Sequence, residues 1–193
     1  MKYKLQKNYD SLDRIENWDV ETQKVIKKRI ADELGDALSY NFLTEREGEI
    51  LELLTDALIP QEKNTSYIKI PEIIDCELGK NIQGVRYGAN PWPRVFYQTG
   101  LADFSAQAET ISGKPIEDFS TPQIEKYISA IFERDPNDFL RRFARKVLSD
   151  ATAIYFSHPA SWNAIGFPGP AFPEGYAYLD CDKTFDWEPK YEK

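Results

Sequence analysis

This chain has one histidine, one methionine and two cysteines among its 193 residues. A single imidazole and the lack of any Cys-x-x-Cys pair argue against a zinc centre, and without Cys-x-x-Cys-His there is no haem attachment signal. Cys76 and Cys181 lie far apart in sequence. They are read either as two thiols in a reducing compartment or as one long-range disulfide in an exported protein. Basic residues are outnumbered, with 24 Lys and Arg against 32 Asp and Glu and a net charge of −8. Nucleic-acid affinity comes mainly from cations that neutralise phosphates, so this balance argues against a DNA or RNA binder. It also disfavours docking on anionic lipid. Uninterrupted apolar runs are only a few residues long, far short of the roughly 20 needed to span a bilayer. No signal-peptide core, cleavage site or twin arginine opens the sequence, so by itself the chain is expected in the cytoplasm. Gly79, Gly84 and Gly88 form neither a dinucleotide fingerprint nor a phosphate-binding loop.

What remains is an ordinary globular composition, 41% hydrophobic and 29% charged, with helical periodicity along most of its length. A helix is expected after Asp19, whose carboxylate can cap free N–H groups, with Val25, Ile26, Ile30 and Leu34 as its stripe and a break near Gly35. Thr44 and Glu47 form a Thr-x-x-Glu capping box ahead of Ile50, Leu51, Leu54, Ala57 and Leu58, and Pro60 marks the end. Pro71 suits the first turn of a short helix through "PEIIDCELG". "GVRYGANPWPRV" reads as an irregular connection. Val95, Phe96, Leu101, Phe104 and Ala108 support a helix up to Gly113. "STPQIEKYISAIF" follows, lined by Ile124, Ile128, Ile131 and Phe132. The last long helix is expected from near Pro136, with a broad stripe from Phe139 and Leu140 to Ile154 and Tyr155. No segment alternates as a strand would. The fold class is therefore all-α, an irregular bundle of about five to seven helices. A loosely structured arm (1–18) precedes the helical domain (19–156), and a non-helical segment (157–193) follows it.

That last segment opens with "SHPASWNAIGFPGPAFPEGY". Its twenty residues carry four prolines, three glycines, four large aromatics and the only histidine. His158 could serve as a general base, but no nucleophile motif accompanies it. The alternative is that "SHP" ends the long helix, with the imidazole bonded to a last-turn carbonyl or stacked on a neighbour. Asp180, Asp182 and Asp186 lack EF-hand spacing and read as a solvated acidic tail. Arg141, Arg142, Arg145 and Lys146 form a basic cluster expected to pair with nearby acids or to flank a docking face. Trp162, Phe167, Phe172 and Tyr176 either fold back on the chain's own helices or present themselves to a second protein.

"FLTEREGEILELLTDALIP" and "YFSHPASWNAIGFPGPAFPEGY" resemble the two signature regions of the gluconate 2-dehydrogenase subunit 3 family, and "ENWDVETQKVIKKRI" resembles the N-terminal extension of its signal-less members. The resemblance implies a non-catalytic small subunit that binds no cofactor itself. Its partner would be a large FAD-dependent dehydrogenase of the glucose-methanol-choline type, with a cytochrome c subunit or other electron acceptor alongside. It further implies support for folding and stability of the large subunit, and a periplasmic location only if a signal-bearing partner carries the chain there. A transient chaperone for the flavoprotein, or an enzyme using His158, are the rival readings. The expected partner-binding residues are His158, Trp162, Phe167, Pro168, Pro170, Phe172, Pro173 and Tyr176.

Overall fold

A computed structural model of the chain describes residues 4–5, 10–34, 39–62, 67–80, 90–167, 169–170 and 191–192. Among the described residues there are seven α-helices: α1 (Val20–Leu34), α2 (Glu45–Leu58), α3 (Ile70–Gly79), α4 (Pro93–Ser112), α5 (Thr121–Phe132), α6 (Phe139–Ser157) and α7 (Pro159–Ile165). Short 3-10 turns occupy Ser11–Asn17 and Ile116–Asp118. Lys4–Leu5 and Tyr191–Glu192 pair antiparallel over two residues. The architecture is all-α, as the periodicity predicts.

The helix ends follow local chemistry. Asp19 Oδ1 accepts the N–H groups of Glu21 and Thr22, each at 3.0 Å, and the Thr22 hydroxyl, with these backbone bonds behind it, holds the Asp19 carboxyl below the usual range. At α2 the capping box is complete: Thr44 Oγ1 accepts from the Glu47 N–H at 3.3 Å and Glu47 Oε2 from the Thr44 N–H at 2.8 Å. α4 ends where Gly113 turns left-handed at φ 73°, a conformation that costs glycine nothing. α6 begins at Phe139 rather than near Pro136, because the Asp138 carboxylate accepts the Arg141 N–H at 3.0 Å. The segment expected to be non-helical opens with one more helix, α7. The segment expected to be loose, before residue 19, contains the turn at Ser11–Asn17.

α6 is the central element and packs on α2, α3, α4, α5 and α7. Leu140, Phe143, Ala144, Val147 and Ala151 form its buried face, at helical spacing. Phe143 is edge-on to Phe96 at 5.9 Å and to Tyr97 at 5.8 Å. Its ring lies on Gly100 of α4, where an added Cβ would be 2.2 Å from a ring carbon. On the other side of the ring system, the Tyr97 hydroxyl donates to Asp150 at 2.7 Å, and Lys146 pairs with the same carboxylate at 2.5 Å. Two further basic residues of α6 are also engaged. Arg141 donates to the Arg134 carbonyl, and Arg142 donates to Asn90 at 2.9 Å. Arg145 is exposed.

A second fixed point lies between α2 and α3. Asp75 is fully buried, and its carboxylate gathers three consecutive backbone donors from the chain entering α2. Oδ2 accepts from Asn41 at 2.6 Å, Oδ1 accepts from Leu43 at 2.6 Å, and Phe42 is shared between the two oxygens at 3.1 and 3.2 Å. Arg94 joins α4 to the same region. Its Nε and Nη2 donate to the carbonyls of Leu78 and Gly79, both at 2.7 Å, while its guanidinium lies 4.7 Å from the Phe42 ring. The chain is thereby led into α2 by α3.

Two substitutions test these fixed points. Gly100→Ala is expected to destabilise the protein by about 1–3 kcal/mol, because Phe143 must leave its place. Asp75→Ala leaves the three donors unsatisfied and is expected to cost at least about 3 kcal/mol. Urea unfolding midpoints measure both, and a wild-type midpoint in either variant would contradict the corresponding packing argument.

Candidate functional site

The corner between α6 and α7 is built by one dipeptide. A residue before proline is disfavoured in the helical region, so His158 adopts φ −83° and ψ 131° and ends α6. Pro159 then begins α7, where its missing N–H costs no hydrogen bond. The His158 ring completes the exchange: Nδ1 accepts the Ala160 N–H at 3.1 Å and caps the new helix. The imidazole thus caps the start of α7, where the sequence suggests a bond to a last-turn carbonyl of α6 or stacking on a neighbour. The carbonyls at the end of α6 find other donors. The single Ser161 O–H is shared between the carbonyls of Tyr155, at 2.5 Å, and His158, at 2.8 Å, and Arg29 of α1 donates to the Ser157 carbonyl at 3.2 Å. Gly166, left-handed at φ 69°, closes α7.

His158 is 0% exposed. Burial, with the Arg29 charge second, pushes its imidazole down to about 4. The ring is therefore neutral at pH 7, and acceptance at Nδ1 puts the proton on Nε2. A buried base titrating near 4 and engaged as a helix cap is poorly matched to proton abstraction at neutral pH.

Trp162 also turns inward. It is 6% exposed, edge-on to Phe167 at 5.2 Å and to Trp18 at 6.1 Å. Trp18 leans on Gly169, where a Cβ would meet its ring at 2.3 Å, and Gly169 has φ 102°. Next to Trp162, the Asn163 amide binds the turn at Ser11–Asn17. Oδ1 accepts from the Ser11 N–H at 2.8 Å and the Ser11 hydroxyl at 2.9 Å, and Nδ2 donates to Asp10 at 3.1 Å. Three large apolar side chains of the corner reach solvent, as does Ser157. Phe167 is 38% exposed, Ile165 37% and Phe156 48%. Pro170 is half-buried. Pro168, Phe172, Pro173 and Tyr176 lie outside the described residues, as do Cys181, Asp180, Asp182 and Asp186. Cys76 is an exposed free cysteine.

Sequence reasoning missed Trp18, Ser11 and Asn163. None of the three carries a local signal, because Trp18 packs on Trp162 and Gly169 and Ser11 pairs with Asn163 from the far end of the chain. Among the described residues, no group of three or more His, Cys, Asp and Glu is placed to hold a metal ion, and no helix is long and apolar enough to cross a membrane.

The family model described as gluconate 2-dehydrogenase subunit 3 matches residues 45–169, more than half of the chain. The match runs from the first residue of α2 through the α6–α7 corner to Gly169. No curated protein and no solved structure matches the chain.

The lowered imidazole has a consequence for stability. Unfolded, His158 titrates at about 6.5; folded, it titrates at about 4. Between those values the unfolded chain binds more protons, so this contribution is present above pH 6.5 and is lost as the pH falls towards 4. His158→Asn keeps a capping side chain and removes the titration. The wild type is expected to lose stability more steeply than this variant between pH 6.5 and 4, by up to about 1.4 kcal/mol per pH unit. Urea midpoints at pH 7 and pH 5 make the comparison, and parallel losses would refute the buried neutral imidazole.

Proposed function

The chain belongs to the gluconate 2-dehydrogenase subunit 3 family, and we propose that it is the non-catalytic small subunit of a flavin-dependent dehydrogenase acting on a sugar, sugar acid or glycoside. On this reading the FAD and the oxidation of the alcohol carbon belong to a large subunit of the glucose-methanol-choline type. A cytochrome c subunit or another acceptor takes the electrons. The small subunit supports folding and stability of the large one, and the pair shares whatever compartment the large subunit reaches.

One observation carries this reading. The α6–α7 corner uses His158, Ser161 and Asn163 on its own backbone and on the chain's own arm, and it exposes Phe156, Ile165 and Phe167. A corner that binds substrate for chemistry would direct polar groups into a cleft. One that binds protein directs aromatic and aliphatic groups outward, and Phe156, Ile165 and Phe167 do so within a short stretch of chain. Three side chains form only the centre of such a contact, since a specific interface covers at least about 1,000 Å² in total.

Phe156→Asp and Ile165→Asp place a charge on this rim without removing the Phe167 ring that packs on Trp162. Each is expected to weaken binding to the co-expressed flavoprotein large subunit by tenfold or more, about 1.4 kcal/mol, while leaving the thermal midpoint of the small subunit nearly unchanged. Affinity co-purification followed by titration measures this. Wild-type recovery of the large subunit by both variants would rule out the corner as the contact.

A further inference from the structure

Residues 10–19 lie outside the matched region and pack on α7, which lies inside it. The contact has the features of a ligand in a site. Both ends of the Asn163 amide are engaged, with Oδ1 reading a backbone N–H and a hydroxyl of Ser11 and Nδ2 reaching Asp10. An aromatic side chain, Trp18, lies edge-on to Trp162 and rests in a recess that only a glycine at position 169 leaves open. The helix that follows, α1, packs mainly on α7 and leaves Val20 64% and Val25 62% exposed. The arm is therefore held on one short helix at the edge of the bundle, the class of element that opens locally without global unfolding.

We propose that residues 10–19 are an intramolecular occupant of a recognition face on α7, and that a segment of the flavoprotein partner replaces them on assembly. The replacing segment has the same chemistry: a backbone N–H and a hydroxyl for Asn163, followed by an aromatic side chain for Trp162 and Gly169. This rests on the small-subunit reading and adds to it the contact that Trp162 makes. The apolar rim of Phe156, Ile165 and Phe167 takes the first contact, and release of the arm then uncovers Trp162. While the arm is seated, apparent affinity is reduced by the fraction of molecules whose face is open.

Hydrogen exchange on the full chain, free and bound to the co-expressed large subunit, tests this directly. In the free chain the Ser11 amide is expected to exchange at least about 100-fold faster than the amide of Leu101 in α4, through opening of the arm alone. Equal protection of the two would overturn the proposal. In the complex, Ser11 is expected to lose its remaining protection while α7 gains it. Trp18→Ala is expected to bind the large subunit about tenfold more tightly than wild type, because its arm competes less well. A complex in which Ser11 stays protected, or in which Trp18→Ala binds no more tightly, would overturn the exchange and leave the small-subunit reading standing. Failure of both wild type and Trp18→Ala to form any complex would overturn the two together.

Discussion

The contact on which the bundle depends is the Phe143 ring resting on the bare backbone of Gly100. Glycine costs an exposed helix about 1 kcal/mol relative to alanine, yet here it removes the one atom that would hold α4 and α6 apart. With that atom gone, Phe143 reaches Phe96 and Tyr97 edge-on, and α6 can lie at the centre of the molecule. Ala144 and Ala151, both fully buried, continue the same logic along α6 by keeping its inner face narrow. A central helix must be fixed at both ends. Asp138 and the Arg141 contacts hold its start, and the Tyr97–Asp150–Lys146 group fixes its rotation against α4. Its far end is then delivered to one place, where the chain turns into α7.

The turn shows how a catalytic-looking residue can be structural. Proline at position 159 imposes extended backbone on residue 158, and an extended residue at a helix start needs a side-chain acceptor. Histidine supplies one only while Nδ1 is unprotonated. Burial supplies that condition, and the Arg29 charge reinforces it. The same Arg29 donates to Ser157, so the cation that disfavours the imidazolium also satisfies the end of α6. Capping, burial and neutrality of His158 are thus a single requirement seen from three sides.

Much of this fold was legible in the sequence because its determinants are local. The Thr44–Glu47 box, Asp19, Pro71 and Gly113 act within a few residues of themselves, and the apolar stripes of α2, α4, α5 and α6 repeat at helical spacing. What was not legible depends on distant pairs or on too short a stretch. α7 is seven residues long, too few for periodicity to register, and its prolines and glycines suggested irregular chain where they in fact start and stop a helix. Asn163 and Ser11 are 152 residues apart, and nothing in either neighbourhood marks the other. The Asp75 cradle is hidden in the same way, since an aspartate within "PEIIDCELG" gives no sign that it will receive three N–H groups from another segment. Of the four large aromatics that open the last segment, Trp162 and Phe167 lie among the described residues. Trp162 turns inward, and Phe167 stands at the rim edge-on to it.

That division makes physical sense for a chain that must persist before it assembles. An exposed indole beside exposed phenylalanines would form a contiguous apolar patch, and such patches promote self-association. Scattered at the rim, Phe156, Ile165 and Phe167 are tolerable for a protein with a net charge of −8, since like-charged molecules approach one another poorly. Trp162 adds the largest apolar surface of the corner, and the chain covers it with a tryptophan of its own. A cover made of side-chain hydrogen bonds and one aromatic edge holds specifically but weakly, each such bond contributing about 1 kcal/mol. Covers of that strength can yield to a partner that offers the same bonds together with a larger buried area. The glycine recess at position 169 then has a use in both states, because it admits an aromatic ring whichever chain supplies it.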